Sequence, residues 1–416
     1  MNPPAPAMDS TPVAPSAAGR VVSVDALRGF DMFWIIGAGS LVQALDKMSG
    51  NGVTRFLSAQ LKHVPWEGFR FYDLIFPLFL FIVGVSLVFS LDKALARDGL
   101  GAALKRIAGR SLLLYLLGVF YSGGLTNRWP DISLGGVLHR IAACYFFAAT
   151  IYCCCAARPK TMAGIAVALL TGYWALLALV PFPDFKIDQP TVTALARQIG
   201  SDSASAIAGA VKGRVSGLFE EGRNLTNYFD FLYFYVPGRR VPLYYINEGL
   251  LSTLPAISIC LFGAFAGRLL KEERVKPIRK VTWLLAAGAA LVVLGLFWSL
   301  QFPLIKRIWT SSFCVVTTGC SAMLLGVFYF VVDVCKFQTW CQPFVWIGMN
   351  SITIYLTVSV VSLSRLAERF VGGDVRAFLD AHVANGFGGL VVTLAGLALA
   401  VLLCWFLHRN KIFLRV

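Results

Sequence analysis

One histidine stands where an acid–base catalyst would be wanted. His63 lies in Lys62-His63-Val64-Pro65-Trp66-Glu67-Gly68, and Asp73 follows at the start of an apolar run, so one imidazole is close in sequence to two carboxylates. Histidine changes charge nearer neutral pH than other side chains, which suits it to removing a proton from an attacking nucleophile. Glu67 or Asp73 is placed to orient the ring and stabilise its protonated form. The remaining histidines offer less. His139 adjoins Arg140 inside an apolar run, where a carbonyl could satisfy it; His382 lies in a segment of mixed polarity, and His408 in a basic tail.

A second set of residues is notable for its surroundings. Asp25, Arg28 and Asp31 are spaced three apart in an apolar run, so they share one helix face. Arg140 sits in Gly136-Val137-Leu138-His139-Arg140, Glu248 opens another run, and Asn350 and Ser351 interrupt a third. An ionisable residue at the centre of a membrane span costs about 2.5–3.5 kcal/mol on insertion scales. The first triplet can neutralise itself at a helix end. Taken together with Asp73, the set implies a polar cavity inside an apolar bundle.

That bundle is dictated by composition. Of 416 residues, 57% are hydrophobic and 14% charged, against about 45–50% and 25% in soluble domains. A soluble enzyme, a disulfide-rich secreted scaffold and a disordered chain are excluded. Apolar stretches recur at 24–45, 72–91, 105–123, 134–156, 161–180, 249–269, 281–300, 309–332, 344–363 and 390–407. The expected fold is all-α, a polytopic membrane bundle of about ten transmembrane helices. Residues 1–20, rich in Pro, Ala and Ser, read as a disordered cytoplasmic tail, and 21–416 as one membrane domain with an external loop at 181–248. Loops of that length tend to be lids or binding surfaces.

The net charge of +15 invites nucleic acid as a partner. Topology explains it better, because the basic residues cluster in alternate connecting segments, around 93–110, 271–280 and 409–415. The positive-inside rule then puts both termini in the cytoplasm. The ten cysteines show no paired spacing with histidines, so no metal site is expected.

The motifs resemble those of the transmembrane acetyltransferases typified by heparan-α-glucosaminide N-acetyltransferase. Ser23-Val-Asp25-Ala-Leu-Arg28-Gly29-Phe30 is similar to the family's opening motif. The His63 loop, Tyr72-Asp73-Leu-Ile-Phe76-Pro77, Gly136–Arg140, Asn247–Thr253, Lys306-Arg307-Ile-Trp309-Thr310-Ser311, Gly348–Ser351 and Asn410–Phe413 follow in the family's order. The resemblance implies acetyl-CoA as donor, an amino sugar such as glucosamine as acceptor on the far side of the membrane, His63 as the catalytic histidine, and a homodimer in a bacterial inner membrane. The family's asparagine late in the first motif helix has no counterpart in Gly37-Ala38-Gly39.

Residue types and resemblance together give an expected site. Catalysis falls to His63, Asp73 and Asn350, with Asn350 or Ser351 donating to the developing oxyanion. Cationic side chains suit the CoA phosphates. Arg28, Arg106, Arg110, Arg140, Lys271 and Arg274 are the candidates, although basic residues at these ends also serve simply to orient the helices. Glu67, Glu248 and Ser351 are expected to contact the acceptor sugar. Two rival functions use the same residues: secondary transport of an amino sugar along buried charges, and O-acetylation of an envelope polysaccharide. The absence of a visible internal repeat disfavours an inverted-repeat transporter.

Overall fold

The structure is a computed structural model that describes residues 21–237, 239 and 244–413. The expected tail at 1–20 lies outside the described residues. All ten apolar stretches fall on helices. The first comprises α1 (Val22–Phe33), a π-helical turn at Trp34–Ala38, and α2 (Gly39–Ser49). A short α3 (Gly52–Gln60) then leads into the His63 loop.

α4 (Phe71–Tyr121) covers two of the stretches. A straight helix of that length would run about 76 Å, more than twice a bilayer core. Gly99 breaks it with φ 76° and ψ 177°, a backbone that an L side chain disfavours. The chain turns back there, so both ends of α4 reach one region. Tyr72 near its start and Tyr355 line the same cavity, and Tyr121 at its end stacks on Tyr355 with ring centroids 4.7 Å apart.

α5 (Val137–Cys155) and α6 (Pro159–Leu179) precede the long external segment. That segment carries α7 (Gln189–Ile199), α8 (Ala204–Ala210) and α9 (Leu225–Phe234), with their own small core around Ile187, Val192, Ile207 and Phe231. Two antiparallel strand pairs tie it together: β1 (Phe182–Pro183) with β2 (Arg214–Val215), and β3 (Phe219–Glu220) with β4 (Arg223–Asn224). The bundle resumes with α10 (Thr253–Lys271), α11 (Pro277–Trp298) and α12 (Ser311–Phe328), the last extended by a π-helical turn to Val334. α13 (Gln342–Met349) and α14 (Ser351–Val361) meet at a 79° bend on Asn350. α15 (Leu363–Val371), α16 (Gly373–His382) and α17 (Phe387–Arg409) complete the fold.

Seven helices among the described residues are long and apolar enough to cross a membrane, or eight if the bent α13–α14 pair is one span. Burial separates them into two groups. In α4, α5, α10 and the α12 span, 61–72% of the apolar window is buried, against 22–28% in α6, α11 and α17. Helices that are apolar all round yet exposed in the monomer need a nonaqueous neighbour, which lipid supplies. The more buried helices enclose the site. Small residues also let α1 and α13 approach closely: a Cβ on Gly29 would meet the Phe344 carbonyl at 1.7 Å, and one on Gly348 the Asp25 carbonyl at 1.9 Å. α1 therefore lies directly on α13, and Arg28 is held beside the Gly348 carbonyl.

Candidate active site

The first turn of α4 builds the acid–base pair. Arg70 occupies the N-cap with extended backbone, and Asp73 at the third helical position accepts the Arg70 N–H at 3.1 Å. This capping geometry holds the carboxylate in place and leaves it 0% exposed. The oxygen that accepts from Arg70 is also approached by the Val64 N–H at 3.4 Å, and the other oxygen lies 2.8 Å from His63 Nδ1. A carboxylate can only accept, so the proton belongs on Nδ1 and Nε2 carries the lone pair of the ring. The imidazole packs on Tyr72 at 4.8 Å, and its side chain is 53% exposed at a cavity mouth.

A third group completes this cluster. Lys306 Nζ lies 2.9 and 3.4 Å from the two ring nitrogens of His63 and 3.6 Å from Asp73. Burial pushes its pKa down to about 8, with Asp73 and Glu248 pulling it partway back. The loop carrying Lys306 is fixed to the loop carrying His63. Gly68 N–H donates to the Leu304 carbonyl at 2.8 Å, and Glu67 bridges Ile305 through the backbone.

Two cavities meet inside the bundle. The first, about 270 Å³, is lined by His63, Tyr72, Glu248, Lys306 and Trp309 among others. The second, about 410 Å³, is lined by Asp25, Arg28, Ser86, Arg110, Tyr145 and Ser351. Phe79, Ile141 and Ile352 line both, so the two cavities adjoin at an apolar boundary. Ser86, which accepts a hydrogen bond from Arg28, lies thirteen residues beyond Asp73 on α4, about 20 Å along its axis. Arg28 also bonds Asp25 at 3.2 Å and the Gly348 carbonyl at 3.3 Å. Arg110 lies over the Tyr145 ring at 4.8 Å, and its Nε has no hydrogen-bond partner among the described residues. A half-buried guanidinium with an unused donor fits an anionic ligand such as a phosphate.

The other expected residues fall as follows. Glu248 lines the His63 cavity, whereas the Glu67 side chain is exposed outside it. Ser351 lines the Arg28 cavity instead. Asn350 is buried at the α13–α14 bend, lines neither cavity, and makes no side-chain hydrogen bond among the described residues. Arg140 is also off both cavities. It is buried behind Trp309, 4.7 Å over that ring, and donates to the Gly249 carbonyl and to Ser252 Oγ. Arg106, Lys271 and Arg274 are exposed; Arg106 pairs with Asp98 at 3.5 Å, and Lys271 with Asp92. Surface pairs of this kind contribute little. His139 packs on Tyr115 at 4.6 Å away from both cavities. No cluster of three or more His, Cys, Asp or Glu side chains suited to a metal exists among the described residues.

Two buried or half-buried charged groups carry no sign in the sequence of where the fold puts them. Lys306 stands in one of the motifs, Lys306-Arg307-Ile-Trp309, with no sequence signal that sets it apart from the other external cations. Asp230 of α9 is completely buried against Gly249, and desolvation raises its pKa to about 7 against the opposing pull of Arg140.

Comparison with known proteins supplies an independent line. Residues 20–190 match the family described as heparan-alpha-glucosaminide N-acetyltransferase, catalytic. The chain is 27% identical to the Homo sapiens heparan-alpha-glucosaminide N-acetyltransferase over 387 residues, covering 85% of this chain and 56% of that protein. It is also 27% identical to the Mus musculus protein over 434 aligned positions, covering 96% and 61% respectively. The chain thus spans less than two thirds of the length of the curated relatives it matches. The resemblance carried by the motifs extends over most of the chain, and the matched segment contains His63, Asp73, Arg28, Arg110 and Arg140.

Proposed function

We propose that this protein is a transmembrane acetyltransferase that moves an acetyl group from acetyl-CoA, bound at the Arg28 and Arg110 end, to the amine of glucosamine or a glucosamine-containing sugar at the His63 end. The observation that carries the reading is the pair of cavities meeting at Phe79, Ile141 and Ile352, one lined by cations and the other by an oriented imidazole. The CoA phosphates stay with Arg28 and Arg110. The pantetheine arm crosses the apolar boundary and presents the thioester beside His63. Nε2 takes the proton of the attacking amine, while Asp73 holds Nδ1–H and stabilises the imidazolium. Glu248, in the wall of the same cavity, contacts the sugar. The basic cavity faces the cytoplasm, in keeping with the Lys and Arg distribution.

General-base assistance of this kind is typically worth 10²–10⁴-fold. Purified protein mixed with acetyl-CoA and glucosamine releases free thiol only when the sugar is present. His63→Ala abolishes that release while keeping a monodisperse, folded protein, and His139→Ala changes it little. Retained turnover in His63→Ala removes the mechanism. Counterflow of glucosamine into liposomes without thiol release would instead make the protein a transporter.

A further inference from the structure

We infer that Lys306 is a further catalytic residue, its ammonium holding the negative charge that develops on the thioester carbonyl oxygen as the acceptor amine attacks. The inference rests on the transfer reading above and adds the electrostatic half of the chemistry to it. Acyl transfer passes through an oxyanion, and fixed donors aimed at that oxygen commonly supply a large part of the rate. The two residues expected to do so are elsewhere, because Asn350 lines neither cavity and Ser351 lines the one at the far side of the apolar boundary. The donor must come from the wall of the His63 cavity.

Lys306 is the cation there that lies against the imidazole, 2.9 Å from Nδ1. Arg307, its neighbour in the same wall, is committed to Glu221 in the turn between β3 and β4. With the Nδ1 proton given to Asp73, Nδ1 has no lone pair for Lys306. The three ammonium protons are left for Asp73 at 3.6 Å, for the Nε2 lone pair at 3.4 Å, and for a ligand oxygen.

The support of Lys306 is rigid. Thr310 Oγ1 accepts the Ile305 N–H at 3.1 Å, the Thr310 N–H returns to the Ile305 carbonyl at 3.2 Å, and Trp309 between them has φ 50°. This closed turn, joined to the His63 loop through Leu304 and Ile305, fixes the backbone of the ammonium relative to that of the base. The charged and titratable groups facing Lys306 are His63 from its loop, Tyr72 and Asp73 from α4, Glu248 from the turn before α10, and Arg307 beside it.

The step balances without any further reactant. The amine lone pair forms the new C–N bond, and the carbonyl π pair moves onto oxygen opposite Lys306. The nitrogen proton passes to His63 Nε2. The oxygen pair then returns, the C–S bond breaks, and the departing thiolate takes the proton from His63. Amide and free thiol result, and the enzyme is restored.

The test is a pH profile of glucosamine-dependent thiol release for wild type, Lys306→Met and Lys306→Arg. Lys306→Met is expected to lower kcat by roughly 10²–10³-fold, with KM for acetyl-CoA within about threefold. Wild-type activity falls as pH rises through about 8, where the ammonium is lost. Lys306→Arg, charged throughout, keeps activity within about tenfold and carries the plateau beyond that pH. Lys306→Met turnover within threefold of wild type overturns the inference. So does a Lys306→Arg profile that retains the wild-type alkaline fall, and this arm decides the matter if Lys306→Met does not fold. Dead His63→Ala beside fully active Lys306→Met leaves the transfer reading standing and sinks only the role of Lys306; active His63→Ala sinks the transfer reading itself.

Discussion

Asp73→Asn isolates the carboxylate's effect on His63, because the amide is nearly isosteric and its oxygen can still accept the Arg70 N–H at the start of α4. Two losses follow. A charge-assisted hydrogen bond to the imidazolium, worth about 1.5–3 kcal/mol, becomes a neutral one worth about 0.5–1.5 kcal/mol, a loss of about 1–1.5 kcal/mol that alone slows turnover roughly 5–13-fold. In addition, an amide NH₂ turned toward Nδ1 favours the tautomer with the proton on Nε2, and that tautomer is no base. In serine proteases the same substitution costs about 10⁴ in kcat. His63 is 53% exposed here, so water takes over part of the stabilising role. The expected fall is therefore about 10²–10³ in kcat, with KM for acetyl-CoA little changed. Folding should suffer by no more than about 1 kcal/mol, since a capping acceptor remains. Thiol release at saturating acetyl-CoA and glucosamine, alongside thermal melting in detergent, gives both numbers. A folded Asp73→Asn with kcat within threefold of wild type would reduce Asp73 to a helix cap.

Ile352→Trp puts a larger ring into the wall common to both cavities; thiol release should fall by more than about 100-fold while CoA still binds within about tenfold, because its phosphates are held on the Arg28 side. Unimpaired turnover would mean that the thioester does not pass this boundary. Asp230 titrates at about 7 in the folded protein and near 3.9 in an unfolded chain, so the fold binds the extra proton between those values. Stability therefore declines as pH rises from about 4 through about 7, by up to about 4 kcal/mol. Asp230→Asn should flatten that slope and raise the melting temperature at pH about 8 but not at pH about 5. Parallel pH dependences for the two proteins would refute this.

The helices were legible because each apolar stretch is long, although seven or eight among the described residues, rather than the expected ten or so, are long and apolar enough to cross a membrane. What composition does not specify is where a helix breaks. Gly99 is an ordinary residue in sequence and Asn350 is notable there for its polarity alone, yet one turns the 51-residue α4 back on itself and the other bends α13 into α14 by 79°. The His63–Asp73 pair was legible because ten residues separate them and the helix start fixes the geometry between. Lys306 is 243 residues from His63, and no local pattern reveals such a contact. Burial misled for Arg140 and Asn350. A polar residue in an apolar run signals a need for partners, and Arg140 meets it with the Gly249 carbonyl and Trp309 rather than a cavity. Net basicity likewise did not separate Arg110, which lines a cavity, from Arg106 one helical turn away, which faces solvent beside Asp98.

The division into two cavities bears on how transfer across a membrane can work without moving a charged cofactor through it. Carrying a phosphate across an apolar core would be prohibitive, since an unpaired ion in such a medium costs far more than any nearby dipole returns. A boundary of Phe79, Ile141 and Ile352 has no hydrogen-bonding side chain, so it favours an uncharged chain and opposes ions. It also opposes a continuous file of water, which needs polar partners along its course. In the proposed reaction the charges therefore stay at their own ends, phosphates by Arg28 and Arg110, ammonium and imidazole by Asp73, and only the acetyl carbon changes hands. A polar substitution in the boundary tests this separation directly. Ile141→Asn should leave the charges at both ends in place and let protons leak between the two sides, measurable as faster collapse of a pH gradient in proteoliposomes. Gradients held as well as by wild type would show that the seal lies elsewhere.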